Sequence, residues 1–443
     1  MERPMFEPTF ESLTTFECPD WFRDAKLGIW SHWGPQSVPR YGDWYARNMY
    51  REGSDQYRYH LRTYGHPSEV GWNDVVPLWK AEKFDPHDLM DRFAAAGARY
   101  FVAQAVHHDN FFNYDSSVNP WNSVKVGPGK DIVGLWKAAA EERGLPFGLT
   151  EHLGASFTWM KATEGGVVPD PWYTDDPGWH AYWLEAVTEM IDRYEPDLLY
   201  SDGPLPFGEA TYAPGLQAVS HLYNTSARIH GTNRAVYQQK DRSPEVSAVG
   251  LMDIERSQTP GIHPTPWQTD TSVGDWFYNV RDVYKTAGHV VELLVDIVSK
   301  NGNLLLNVPQ LPDGTIDAEC AHILDELGAW TSVCGEGIYG TRPFRVFGEG
   351  PSSVLIKGFT EDRVRWTSSD FRFTRRDNTV YAFQLAWPAD GRAVIRSFLD
   401  ESVTGVRLLG HGPVAFEQAE GVLVVRLPET APVAVANCLA VEI

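Results

Sequence analysis

Cysteine and positive charge are both scarce in this chain. Its four cysteines, Cys18, Cys320, Cys334 and Cys438, are scattered over 443 residues without CxxC spacing, which indicates neither a zinc centre nor a disulfide framework; reduced thiols are expected. Lys and Arg total 38 against 59 Asp and Glu, for a formal charge of −21. A surface of that sign does not hold phosphate, so nucleic acid is a poor partner and neutral ligands are favoured over polyanions. No stretch approaches the roughly 18 uncharged apolar residues of a membrane helix. Met1 to Asp20 carries acids rather than an apolar run of signal-peptide length, so we expect a soluble, cytoplasmic protein with no membrane partner. Internal repeats and low-complexity linkers are missing as well.

Aromatic residues are plentiful: 17 Trp, 19 Tyr and 21 Phe, many of them in segments rich in Gly, Pro and Asp rather than in apolar runs. A pyranose has an apolar C–H face that stacks on rings and a rim of hydroxyls that needs placed donors and acceptors, so this mixture suits a carbohydrate site. The packing of a large core would use the same rings. With 43% hydrophobic and 22% charged residues, the composition excludes a disordered, collagen-like or coiled-coil chain.

From Trp21 to about Trp330, short apolar runs alternate with amphipathic ones, as expected of parallel strands joined by crossover helices. Eight strands are predicted: Lys26–Trp30, Arg99–Ala105, Pro146–Glu151, Leu198–Ser201, Ala235–Gln238, Val249–Ile254, Trp267–Thr269 and Leu304–Asn307. Helices are predicted at Pro86–Ala96, Ile132–Arg143, Pro177–Arg193, Gly215–Ala227, Ala287–Ser299 and Ala318–Thr331. No convincing helix joins the sixth strand to the seventh, so the expected fold is an irregular (β/α)8-like, TIM-type barrel over residues 1–340. Beyond it, short β-branched and aromatic runs (Ser353–Gly358, Val380–Trp387, Ala393–Phe398, Val403–Leu409, Val422–Leu427) predict a C-terminal antiparallel β-sandwich over residues 341–443.

In such a barrel the active site lies at the C-terminal ends of the strands. There the sequence delivers His32, His107 and His108, Glu151 and His152, Asp202, Lys240, Asp253 and Glu255, Trp267 and Asp270, and Asn307. Asp202 closes an apolar run before Gly203 and suits a nucleophile, although a loop-capping aspartate would look the same. Glu255 supplies a second carboxylate; beside Arg256 it would equally make a surface ion pair. Two carboxylates on different strands are what glycoside hydrolysis requires. The histidines admit a rival reading as metal ligands of a barrel hydrolase. Neighbouring residues on a strand point to opposite faces, however, so His107 and His108 reach one ion only if the strand has ended.

These residues carry a resemblance. Trp21 through Gly34 (WFRDAKLGIWSHWG), Val106–Phe111 (VHHDNF), Pro196–Gly203 (PDLLYSDG), Asn301–Val308 (NGNLLLNV) and Pro312–Ile316 (PDGTI) resemble, in order, the motifs of α-L-fucosidases of glycoside hydrolase family 29. The resemblance implies a barrel with a β-sandwich, no metal or other cofactor, and retaining hydrolysis of α-L-fucosides. It implies Asp202 as nucleophile, Glu255 as the best match to the acid/base, and His32, His107 and His108 on the fucose hydroxyls. We expect His152 to hold hydroxyls beside them, Trp44, Trp267 and Tyr45 to form the apolar wall, and Asp43 and Lys240 to complete the sugar pocket. Trp267–Ser272 (WQTDTS) and Glu151–Phe157 (EHLGASF) are similar to the subgroup acting on branched α-1,3/1,4-fucosides, so a fucosylated neutral oligosaccharide is the expected substrate. Lys240 stands where an arginine is common, which leaves room for a related sugar such as L-galactose. A sugar-binding protein without turnover, and transfer to a second sugar, are the remaining readings.

Overall fold

The computed structural model describes residues 5–155, 176–203, 212–241, 243–356, 361 and 363–443. Eight parallel strands form one sheet: β1 (Leu27–Ser31), β2 (Tyr100–Val106), β3 (Phe147–Glu151), β4 (Leu198–Ser201), β5 (Val236–Gln239), β6 (Leu251–Met252), β7 (Trp267–Ser272) and β8 (Gly302–Asn307). Their order, β6-β5-β4-β3-β2-β1-β8-β7, leaves β6 and β7 at the two edges. Those edges are drawn together by the bridge between Asp253 and Gln268 and by Ile254 N–H donating to Gln268 O (2.9 Å), which closes the barrel. Residues 253–266, between β6 and β7, form no helix, which is the irregularity the sequence led us to expect.

The crossover helices start where capping chemistry places them. Asp85 accepts from the backbone N–H groups of His87 and Asp88 ahead of helix Pro86–Ala95, and Asp131 accepts from Gly134 N–H ahead of helix Ile132–Glu142. Gly97, at φ +106°, ends the first of these against Tyr339 and Thr331, where a Cβ would collide. Helices Pro177–Tyr194, Ala213–His230, Ala287–Ser299 and Ala318–Cys334 complete the outer layer. Inside the barrel, Trp30, Tyr100, Val102, Leu198, Tyr200, Val236 and Leu305 form a core of their own.

The C-terminal region is a two-sheet sandwich. Six strands run in the order β14 (Gly412–Pro413), β13 (Gly405–Leu408), β17 (Asn437–Glu442), β11 (Thr379–Gln384), β10 (Phe371–Arg376), β9 (Arg342–Glu349). Three more, β12 (Arg392–Ile395), β16 (Val422–Arg426) and β15 (Phe416–Ala419), cover them. Phe371, Phe373, Val380 and Leu439 from the larger sheet meet Ala393, Ile395, Leu423 and Val425 from the smaller one. Of the predicted strand Ser353–Gly358, residues 353–356 are irregular, and 357–358 lie outside the described residues. The sandwich is locked to the barrel by Asp296 of helix Ala287–Ser299, which is buried with Arg372 of β10 and Lys300.

Candidate active site

Period-two alternation decides which side chains enter the barrel mouth. On β4 and the residue after it, Tyr200 and Asp202 face inward together; after β6 the same holds for Asp253 and Glu255, and on β7 for Gln268 and Asp270. Asp202 is set at the end of β4 by its N–H donating to Glu151 O (2.9 Å), and Lys240 after β5 by its N–H donating to Gly203 O (2.8 Å). The resulting pocket encloses about 330 Å³ of empty space including its mouth. That is the size of a small-ligand site. His32, His107, His108 and His152 line it with Asp43, Trp44, Asp202, Lys240 and Glu255, as do Trp30, Asp270 and Trp276.

Lys240 is the hub of its charges. Its Nζ donates to Asp202 Oδ1 and to Glu255 Oε2, each at 2.6 Å. Burial alone would disfavour the charged form of Asp202, but Lys240, then His152 and His108, outweigh it and hold the carboxyl well below the usual range. Glu255 moves the other way. Burial raises it, Lys240 offsets part of that rise, and the neighbouring Asp270 and Asp202 add to it. The two carboxyl groups are thus pushed apart in acidity, one ionised and one able to carry a proton at moderate pH. Burial lowers the proton affinity of Lys240, but Asp202, Asp270 and Glu255 together raise it well above an ordinary lysine.

Beneath them lies a second acidic pair. Asp253 and Asp270 each bury an Oδ1 without a donor, and burial together with the opposing Asp270 carboxyl pushes Asp253 well above the carboxylate range. Tyr200 ties this pair to the site above, with its hydroxyl 3.2 Å from Asp270 Oδ2 and 3.3 Å from Asp202 Oδ1.

His32, His107 and His152 are neutral donors and acceptors. Burial first, and then their mutual repulsion, lowers His32 and His107 well below the usual range; burial brings His152 down to about 3. Gln36 Oε1 accepts from Ala46 N–H, so its Nε2 donates to His107 Nδ1 (2.6 Å) and the His107 proton sits on Nε2, facing the pocket near Asp43. His108 Nδ1 donates to His152 O (2.9 Å), which leaves Nε2 3.4 Å from Asp202 Oδ2. Because β2 ends at Val106, the chain turns and both His107 and His108 reach the pocket. His32, His107 and His152 present ring nitrogens within 4.8 Å of one another, a spacing that a metal ion would also accept.

Two residues predicted for this site lie elsewhere. Trp267 is out of phase with Gln268 and Asp270, so its ring points outward against Gly302 and Ile297, and its Nε1–H donates to Lys300 O (3.0 Å). Tyr45, one residue beyond Trp44, turns into the core and bonds His60 Nδ1 at 2.9 Å. The apolar walls come from Trp30 and Trp276, whose ring centroids are 5.4 Å apart, together with Trp44. Trp30 and Asp270 were accessible to the same alternation, each two residues from a neighbour that faces inward. Trp276 sits in a loop, where no periodicity applies. Arg256 does not pair with Glu255; it lies over the Trp276 ring at 4.6 Å and pairs with Glu361 at 3.2 Å. Ser156 and Phe157 of the strand-three motif lie outside the described residues.

Comparison with known proteins settles the family. The family model described as alpha-L-fucosidase matches residues 1–336, and that of the alpha-L-fucosidase C-terminal domain matches residues 362–442. The chain belongs to the α-L-fucosidase family. The tissue alpha-L-fucosidase of Rattus norvegicus is 30% identical over 96% of this chain and 89% of its own length, and the plasma alpha-L-fucosidase of Homo sapiens is 31% identical over 92% and 85%. Among solved structures, the Thermotoga maritima alpha-fucosidase in complex with fucose superposes with a TM-score of 0.82 at 26% identity, covering 99% of this chain and all of that one. This fucosidase is therefore a glycoside hydrolase with the barrel-plus-sandwich architecture of its family. Among the described residues, no helix is long and apolar enough to cross a membrane.

Proposed function

We propose that the chain removes terminal α-L-fucose with retention of configuration, Asp202 acting as nucleophile and Glu255 as acid and then base. The observation that carries this reading is the shared contact with Lys240. Asp202 Oδ1 and Glu255 Oε2 both sit 2.6 Å from one Nζ, so these oxygens are no more than twice that distance apart. Such a gap suits double displacement at roughly 5–5.5 Å better than inversion at roughly 6.5–9.5 Å, which must admit a water. A solved structure of the Thermotoga maritima alpha-fucosidase, 26% identical, holds a mechanism-based inhibitor, which accords with a covalent step.

In the first step a carboxylate oxygen of Asp202 forms a bond to the anomeric carbon while the glycosidic C–O bond breaks and Glu255 gives its proton to the leaving oxygen. In the second, Glu255 takes a proton from water, whose oxygen attacks the anomeric carbon and frees Asp202. His32, His107 and His152, neutral and buried, hold sugar hydroxyls, and Trp30, Trp44 and Trp276 receive the apolar face. We place the preference among fucosides on branched α-1,3/1,4-linked neutral oligosaccharides. This rests on the likeness of the strand-seven motif, of which Asp270 lines the pocket.

The test is release of free sugar from an aryl α-L-fucoside, an α-1,3/1,4-branched fucosylated trisaccharide and an aryl α-L-galactoside, with and without chelator. Chelator-insensitive release of fucose, fastest from the trisaccharide, supports the reading. Turnover confined to the galactoside, or abolished by chelator, points instead to another L-glycoside or to metal held by His32, His107 and His152.

A further inference from the structure

A second concavity shares no lining residue with the barrel mouth. It forms where Glu292, on helix Ala287–Ser299, meets residues 363–366, Leu385–Trp387 and Val435, and it holds about 900 Å³ of empty space including its open mouth. Its chemistry is mixed. Trp366 and Trp387 are half-buried, and Arg363 and Arg365 are exposed at the rim. Glu292 is only 7% exposed, yet its Oε2 is buried without a hydrogen-bond partner, as is Trp366 Nε1. The Arg363 Nε stands 4.0 Å from that oxygen, outside hydrogen-bonding range. The Trp366 indole and Arg363 are the groups beside that carboxyl that favour its charged form, yet neither completes a bond to Oε2, so an acceptor and a donor at one cavity are left for a ligand to satisfy.

The charges narrow what that something is. A buried carboxylate repels an anion, and two rim arginines repel a cation, which leaves an uncharged ligand with several hydroxyls and an apolar face. We propose that this groove is a second sugar-binding site, which takes a neutral pyranose unit of an oligosaccharide by stacking it on Trp387, with one hydroxyl donating to Glu292 and one oxygen accepting from Trp366 Nε1. No hydrolysis occurs there. The barrel mouth holds a pair of carboxyls poised at opposite protonation states, and the groove is lined by one. The site anchors the glycan that carries the scissile sugar, or a neighbouring chain of the same material.

The test uses isothermal titration of the full-length protein, its barrel pocket saturated with L-fucose, by lactose, N-acetyllactosamine and cellobiose. Saturable binding of at least one is expected, weakened roughly tenfold by Glu292→Gln and by Trp387→Ala and a fewfold by Arg363→Ala, a substitution at the exposed rim that spares the core. Asp202→Ala leaves this binding intact, and Glu292→Gln leaves aryl α-L-fucoside turnover unchanged, so failure of the groove and failure of the fucosidase mechanism read out separately. Absence of binding by all three sugars overturns the proposal. So does binding that survives Glu292→Gln, Trp387→Ala and Arg363→Ala together, or that disappears with Asp202→Ala.

Discussion

Lys240 donates to Asp202 across 2.6 Å, and the same ammonium holds Glu255 at the same distance. One cation therefore keeps two carboxylates together that would otherwise repel, and it lowers the proton affinity of both. Its removal has a definite sign. In Lys240→Met the proton affinities of Asp202 and Glu255 both rise, so the acid and alkaline limbs of the kcat/KM profile should each move to higher pH, while Lys240→Arg keeps the profile nearly in place. The measurement is the pH dependence of aryl α-L-fucoside hydrolysis; limbs that stay put or move to lower pH would show that Lys240 does not set these acidities.

Asp202→Ala should lower kcat by on the order of 10³-fold or more, as expected when a group acting at the reacting carbon is removed. Circular dichroism should report an unchanged fold, since Asp202 lies at a strand end with its side chain 22% exposed. Near-normal turnover would place the nucleophile elsewhere.

Glu255→Ala separates proton donation from nucleophilic attack. A leaving group that needs no proton loses little when the acid is gone, whereas a sugar leaving group loses the full contribution of roughly 10²–10⁴-fold. The expected result is a much larger fall on a fucosylated trisaccharide than on 2,4-dinitrophenyl α-L-fucoside in the first step. Equal losses on both would remove Glu255 from the acid role.

Glu361 links the C-terminal region to this machinery. It pairs with Arg256 at 3.2 Å and Lys285 at 2.9 Å and accepts from Thr271 of β7, while Arg256 follows Glu255 directly and lies over Trp276. Glu361→Ala should therefore lower kcat roughly ten- to a hundredfold through a displaced Glu255, with a smaller effect on KM. Steady-state kinetics on an aryl α-L-fucoside decides it, and unchanged kcat would mean that this strap is only structural.

Asp296 is the stability counterpart. It is buried between Lys300 and Arg372, whose charges outweigh the burial penalty and depress its proton affinity. A carboxyl with a lowered folded-state value stabilises the protein above its unfolded value near 3.9, and that contribution disappears as pH falls through the folded value. Asp296→Ala leaves two buried cations unpaired and should cost about 3–5 kcal/mol near neutral pH, with a smaller difference in acid. Denaturant unfolding at several pH values measures this; a loss that grows on acidification contradicts the assignment.

Much of this was legible in the residues themselves, and the limits have physical causes. The Asp85 and Asp131 caps and the glycines that end their helices bounded those elements to within a residue or two. Strands β9, β10, β14, β15 and β17 went unread; in β10 the cause is visible, since Arg372 is buried against Asp296 in a position that reads as surface. The motif residues at the ends of β1 to β6 converge because each strand delivers its last inward side chain to one mouth. Trp267 failed on parity, one position out of step with Asp270, and Tyr45 failed because the short helix beginning there turns it away from Trp44. Trp276 reaches the pocket from a loop fixed by tertiary contacts that no periodicity announces: Ser272 Oγ–H donates to Asp275 O, Asn307 Nδ2–H donates to Trp276 O, and Arg256 lies over its ring.

The central claim is double displacement through Asp202. Proton NMR of the first-formed sugar during hydrolysis of an aryl α-L-fucoside tests it most directly, before mutarotation scrambles the anomers. Initial appearance of α-L-fucose is the result expected; initial β-L-fucose would mean direct attack by water and would contradict the role given to Asp202.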